Sequence, residues 1–179
     1  MYQIWYTLLM ADELLDLINE KDEVVGKEWK YEMHKNGSLH RTVIGEVIGK
    51  GRVWTLVKQS ERKQDTNQYV SAVGGHVKSG ESNEDALKRE AAEEYGLKGK
   101  FDYKFIGKKI YSREIKGNFE NHLFILYEIY TDQEPVLDDE SISLKDFTEK
   151  ELSEELKTNP DQFGPPFIFL VKNFYSNLL

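Results

Sequence analysis

Three carboxylates, Glu90, Glu93 and Glu94, stand three and four residues apart in GGHVKSGESNEDALKREAAEEYGL, the stretch from Gly74 to Leu97. On a helix, residues at that spacing are neighbours, and like charges there cost roughly 0.2–0.5 kcal/mol per pair. A hard divalent cation reverses the sign, because it neutralises the repulsion and takes oxygen ligands. An ordinary solvated acidic face has the same spacing, so spacing alone leaves both readings open.

Other residues able to do chemistry are scattered along the chain. His34, His40, His76 and His122 can ligate a metal as neutral imidazoles or serve as structural hydrogen-bonding groups. Lys30, Lys58, Arg62 and Lys63 can meet a phosphorylated ligand or remain solvated cations. Trp5, Trp29 and Trp54 could stack a base, although packing is the commoner use of an indole.

The element that must present the acids is well punctuated. A helix is predicted from about Ser82 to Tyr95. Ser82 with Asp85 three residues on resembles a capping box, and Gly96 suits the left-handed position after the last turn, with Leu97 packing back. Ala86, Leu87, Ala91 and Tyr95 form its buried side, and the three glutamates project together toward another. Upstream, LLDLI and EVVG flank a polar turn and read as a hairpin. YEMHKNGSLHRT carries a turn signal at Asn36-Gly37, and TVIGEVI with RVWTLVK reads as a second hairpin around Gly49-Lys50-Gly51. SERKQDTNQ is a polar loop, and YVSAV is a strand entering the glycines. Downstream, FDYKFIGKKIYS and NFENHLFILYEIY are long strands. A helix is predicted over about Leu144–Leu156 and another after Pro165-Pro166, where Phe167, Leu170, Val171, Phe174 and Leu178 recur at helical spacing. This order predicts an α/β chain with helices packed on a mixed sheet.

Composition narrows the partners. The 179 residues suit a single domain, and a net charge of −8 makes the chain a poor candidate for broad nucleic-acid binding. The chain contains no cysteine, which excludes disulfides, thiolate metal sites and a cysteine nucleophile, and permits a cytoplasmic home. No apolar run reaches the length of a membrane helix, roughly 18 residues. MYQIWYTLLM is short and lacks a basic leader, so residues 1–9 read as an extension before an ordinary start. Exposed sheet edges or this apolar segment could support a homodimer.

Gly75, Glu81, Arg89, Glu90, Glu93, Glu94 and Gly96 fill every fixed position of the Nudix box, G-x5-E-x7-R-E-U-x-E-E-x-G-U, with Ala91 small for the first apolar position. The chain thus resembles the Nudix hydrolases. The resemblance implies an α/β/α sandwich with a mixed sheet, Mg²⁺ or Mn²⁺ as cofactor, and hydrolysis of a diphosphate linkage in a nucleoside diphosphate derivative. It implies Glu90, Glu93 and Glu94 as metal ligands, with Glu90 a candidate base and the Gly75 carbonyl a further ligand. Arg89 and Glu81 would be an orienting pair.

The likeness extends beyond the box. HKNGSLHRT, GGHVKSGESNEDA and TNPDQFGPP resemble the isopentenyl-diphosphate isomerase branch, over roughly residues 10–175. It implies that His34, His40 and His76 match metal-binding positions, with the first pair one residue closer. Glu120 then matches a further metal-binding carboxylate, and His122 stands where the branch has another. Lys30, Lys58 and Arg62 resemble diphosphate-contacting positions. Yet those isomerases use a cysteine where this chain has Gly74, and they lose most box acids, which are complete here. Carbon protonation needs an acid–base pair, whereas phosphoanhydride hydrolysis needs clustered metal ligands, so hydrolysis is the leading expectation. Isomerase activity and a non-catalytic ligand-binding module are the alternatives.

Overall fold

The computed structural model describes residues 12–61, 63–136 and 141–179; the expectations for residues 1–9, Trp5 and Arg62 lie outside them. The first hairpin forms as its polar turn requires. Strand β1 (Leu14–Ile18) pairs antiparallel with β2 (Val24–Trp29), and the Asn19 side-chain oxygen accepts from the backbone N–H groups of Lys21 and Glu23. The next segment departs from expectation. Lys30–Asn36 is a short helix, α1, anchored by the fully buried Met33, and Gly37 ends it at φ 68. The Asn36-Gly37 signal is therefore a left-handed helix end, since glycine reaches that region without strain. Seven helical residues are too few to show a clear hydrophobic period.

Among the described residues, strand β3 (His40–Gly49) is the hub of a nine-stranded sheet. One edge runs parallel with β8 (Asn118–Tyr130) from His40 to Ile48. The other edge is shared in turn by β1, by β6 (Val73–His76) and by β4 (Val53–Gln59). Strand β5 (Tyr69–Ser71) adds to β4, and β7 (Asp102–Ile115) pairs antiparallel with β8. YVSAV is thus divided between two strands at Ala72.

Alternation along the hub strands sends successive residues to opposite faces. Val43 and Val47 of β3, with Leu123, Ile125 and Ile129 of β8, pack beneath helix α2 (Asn83–Glu94) through Ala86, Leu87 and Ala91. Ile44, Ile48, Phe124 and Leu126 form the other face, beneath helices α3 (Glu149–Thr158) and α4 (Pro165–Phe174). The result is the mixed-sheet α/β sandwich expected, with helices on both faces. Within α4, Phe167, Leu170 and Val171 are buried, as is Leu178 beyond it, while Phe174 is half-buried.

The expected helix over Leu144–Leu156 is corrected at its start. Residues Ser141–Thr148 form strand β9, which pairs antiparallel with β4 and buries Phe147. Helix α3 begins only at Glu149, where Thr148 and Glu151 make a reciprocal capping box. SISLKDF alternates, and its pairing to β4 overrides its helix-tolerant residues. No helix among the described residues is long and apolar enough to cross a membrane.

Candidate active site

The chemistry-bearing residues meet because β6 is short and made of Val73-Gly74-Gly75-His76. It lies between α2 and the hub strand, with Gly75 opposite Val43. A Cβ on Gly75 would sit 2.0 Å from the Glu90 carboxyl carbon, so only glycine leaves room for that carboxylate. On its neighbour Gly74, the backbone N–H donates to Glu94 Oε2 at 2.7 Å. His76 then turns its carbonyl to Arg89 Nη2 at 3.0 Å. Three consecutive residues thus touch three positions of the box helix.

Helix α2 is built as its sequence predicts. Ser82 Oγ accepts from the Asp85 backbone N–H, although Asp85 bonds the Ser82 hydroxyl rather than its backbone. At the other end Gly96 has φ 75 and the Leu97 N–H donates to Ala91 O. Arg89 organises the acids. It donates from Nε and Nη2 to both oxygens of Glu81, each at 2.9 Å, and from Nη1 to Glu90 at 2.5 Å and Glu93 at 3.3 Å. Arg89 and Glu81 are thus ion-paired, and the guanidinium reaches two further carboxylates. Burial pulls Glu81 upward, but Arg89 and Lys78 together outweigh it and hold the carboxyl below its usual range. Burial wins at Glu90, whose carboxyl is raised despite Arg89. A partly desolvated carboxylate of raised pKa is suited to accept a proton.

The four histidines also come together, from α1, the start of β3, the end of β6 and β8. Among the described residues they are a group of donors whose ligand atoms all lie within 4.8 Å of one another. His34 Nε2 is 3.3 Å from His40 Nε2 and 3.2 Å from His76 Nε2. Such separations match two donors on one tetrahedral ion, whose N–metal distances are about 2.0–2.1 Å. His40 Nδ1 donates to Ser38 O at 2.8 Å, which fixes its tautomer and frees Nε2 as a lone pair. His122 Nε2 is buried without a hydrogen-bond partner. Burial holds His40 down to about 4, lowers His34, and pushes His76 and His122 well below the ordinary histidine value. Four neutral imidazoles with an orphaned inward nitrogen fit a transition-metal ion. The oxygen donors of the box fit a harder Mg²⁺- or Mn²⁺-class ion.

Both groups open on one cavity of about 470 Å³, whose lining includes Glu90, Glu93, Glu94, His34, His76 and His122. Lys30 and Lys63 also line it. Lys58 does not: strand β4 aims it elsewhere, with Nζ 5.6 Å from the centre of the Tyr69 ring. Trp54 is likewise a core residue, 1% exposed, and Trp29 is on the surface. Glu120 lines the cavity outside the four-histidine group, near enough for its charge to act on His34; its Oε2 accepts from Arg113 Nε at 2.5 Å.

Sequence reasoning missed four lining residues. Arg113 is held by Glu120 and by both oxygens of Asp65. Glu13 receives Lys30 and Lys78, each at 3.2 Å, and lies 4.0 Å from His76 Nδ1. Gln64 Oε1 is buried without a partner. Only Arg113 left a trace in the sequence, as the cross-strand partner of Glu120 once the β7–β8 turn is placed at Lys116-Gly117.

Residues 39–167 match the NUDIX domain family model. An uncharacterised Nudix hydrolase of Nostoc sp. is 27% identical over 183 residues, covering 94% of this chain and 100% of that protein. An isopentenyl-diphosphate Delta-isomerase of Aliivibrio fischeri is 28% identical over 175 residues, 93% of this chain and 97% of that one. A solved structure from Deinococcus radiodurans superposes with a TM-score of 0.70 at 22% identity, covering 89% of this chain and 98% of that one. At that identity the last likeness concerns the fold alone.

Proposed function

Because the chain belongs to the NUDIX domain family, we propose that it is a metal-dependent pyrophosphohydrolase acting on a small-molecule diphosphate. The observation that carries this reading is the complete box, whose helix α2 brings Glu90, Glu93 and Glu94 to the same cavity as the cations Lys30 and Lys63. A bound Mg²⁺ or Mn²⁺ would supply charge neutralisation of the diphosphate and polarisation of the attacked phosphorus. Glu93 and Glu94 would hold that ion together with Glu90, whose raised pKa also suits it to take the proton of the attacking water. Arg89 and Glu81 keep these carboxylates in register. Lys30 and Lys63 orient the phosphates.

A nucleoside diphosphate derivative is the proposed substrate class. Support comes from the cavity lining, where Gln59 and Gln64 offer amides. The unpartnered Gln64 oxygen is a ready acceptor for an exocyclic amine. The test is a phosphate-release screen over nucleotides, nucleotide sugars, dinucleoside polyphosphates and prenyl diphosphates with Mg²⁺ or Mn²⁺. Turnover of a nucleoside diphosphate derivative supports the reading; silence across the panel, combined with tight ligand binding, contradicts it.

The histidine quartet favours a second reading, isomerase activity on isopentenyl diphosphate, the substrate named for several relatives. Gly74 counts against it: its position has no side chain, and its N–H serves Glu94. Incubation with isopentenyl diphosphate, Mg²⁺ and Zn²⁺ is expected to give no isomer.

A further inference from the structure

We propose that Arg113 withholds Glu120 from the histidine quartet, making the quartet an all-nitrogen site that selects a zinc-class ion. This rests on the reading that the cavity holds divalent metal. Glu120 and His122 are two residues apart on β8, so the pleat sends both side chains to one face. A carboxylate in that place could complete a mixed nitrogen–oxygen site open to Mn²⁺ or Mg²⁺. Instead Arg113, directly opposite Glu120 in the β7–β8 register, donates to it at 2.5 Å. Asp65 in turn fixes the guanidinium with bonds of 2.5 and 2.9 Å. The side chains of Arg113, Asp65 and Glu120 are only 14%, 6% and 12% exposed. A planar fork held by two carboxylates in a desolvated place does not release its partner easily.

The four donors of the quartet itself are all nitrogen, and the other nearby carboxylate, Glu13 at 4.0 Å from His76 Nδ1, is engaged by Lys30 and Lys78. Imidazole donors suit zinc, copper, nickel and iron, whereas carboxylates suit magnesium and manganese. One cavity therefore carries two donor sets of different hardness, and Arg113 keeps the only carboxylate adjacent in β8 from blurring them. Two ions would sort themselves between the sites by chemistry rather than by geometry. Arg113 is in this sense a positioning residue: it acts through Glu120.

The test is direct metal binding to the metal-stripped full chain, followed by calorimetry with Zn²⁺ and Mn²⁺ and by the visible spectrum of bound Co²⁺, which reports the donor set. Wild type should take Zn²⁺ at the quartet, with binding lost in His40→Ala, and should keep it in excess Mg²⁺. The double variant Arg113→Gln/Asp65→Asn removes the guanidinium together with its buried partner, so Asp65 is not left as a lone buried charge. It should raise Mn²⁺ affinity at the quartet by about tenfold or more and change the Co²⁺ spectrum. Adding Glu120→Gln should abolish both effects. Glu120→Gln alone should leave Zn²⁺ affinity as in wild type. Should the double variant fail to fold by circular dichroism, Arg113→Lys keeps the charge without the fork and should show a smaller gain of the same sign. An unchanged Zn²⁺-to-Mn²⁺ preference in the folded variant overturns the proposal, and so does a loss of wild-type Zn²⁺ affinity in Glu120→Gln. Absence of Zn²⁺ binding in wild type overturns the quartet and the role of Arg113 together. Hydrolysis at the box is scored separately, by phosphate release.

Discussion

The carboxyl group of Glu90 occupies the volume that a side chain on Gly75 would need: a Cβ there would lie 2.0 Å from Cδ and Oε1 and 2.5 Å from Oε2. The box glycine and its first helix glutamate are therefore one steric unit, formed by β6 and α2 together. Gly75→Ala should displace Glu90 and lower turnover by about a hundredfold, with overpacking costing about 1–3 kcal/mol of stability. Steady-state kinetics and a thermal melt check both. Near-normal turnover in the variant would separate Glu90 from the chemistry.

Arg89 binds Glu81 and Glu90, both largely shielded from solvent, and Glu93, which is 58% exposed. Removing it leaves Glu81 and Glu90 as uncompensated, partly buried charges. Arg89→Gln should destabilise the fold by about 3 kcal/mol, and Arg89→Lys by less, because lysine keeps the charge without the bidentate fork. Denaturant unfolding of both variants measures the difference, and equal losses would mean that the fork geometry is irrelevant.

Lys30 lines the cavity and Lys58 does not. Lys30→Ala should raise KM for a diphosphate substrate by about tenfold with a smaller effect on kcat, whereas Lys58→Ala should leave both close to wild type. The reverse ranking would restore the sequence-based expectation for Lys58.

Glu46 is fully buried on the face beneath α3 and α4, beside Glu128, and its Oε1 accepts from Ser71 Oγ at 2.8 Å. Burial, reinforced by Glu128, pushes its carboxyl up to about 8, against 4.5 in an unfolded chain. The folded state therefore binds this proton more tightly, and stability is full below pH 4.5 and falls as pH rises toward 8. Glu46→Gln, which mimics the neutral acid, should flatten that slope and gain on the order of 3 kcal/mol over wild type near pH 8. Urea midpoints across pH 5 to 8 test it; parallel curves for the two proteins would show that Glu46 is ionised in the fold.

Much of the sandwich is legible in the chain because its elements are long or well punctuated. The β3–β4 hairpin, the β7 and β8 strands and the box helix each announce themselves by alternation, by turn glycines or by caps. The region from Ser141 to Thr148 misleads because its strand identity comes from pairing with β4, a partner more than eighty residues away. Helix α1 misleads for the opposite reason, being too short to show a period. In the site, the box acids and the histidines are legible as motif positions. The places of Lys58 and Glu120 are not, since each depends on a neighbour that only the fold supplies: Tyr69 for the one, Arg113 for the other. Asp65 and Gln64, in the polar loop ahead of the box, gain meaning only when that loop closes on the cavity.

The central claim is that water attacks phosphorus in a cavity organised by Glu90, Glu93 and Glu94. Turnover of the best diphosphate substrate in ¹⁸O-labelled water, with product phosphates analysed by mass spectrometry, tests it directly. Hydrolysis predicts labelled oxygen in one phosphate product of wild type, and no product formation in Glu93→Gln or Glu94→Gln variants that remain folded. Undiminished hydrolysis in both variants, or conversion of a prenyl diphosphate to its double-bond isomer without label in phosphate, would contradict the account.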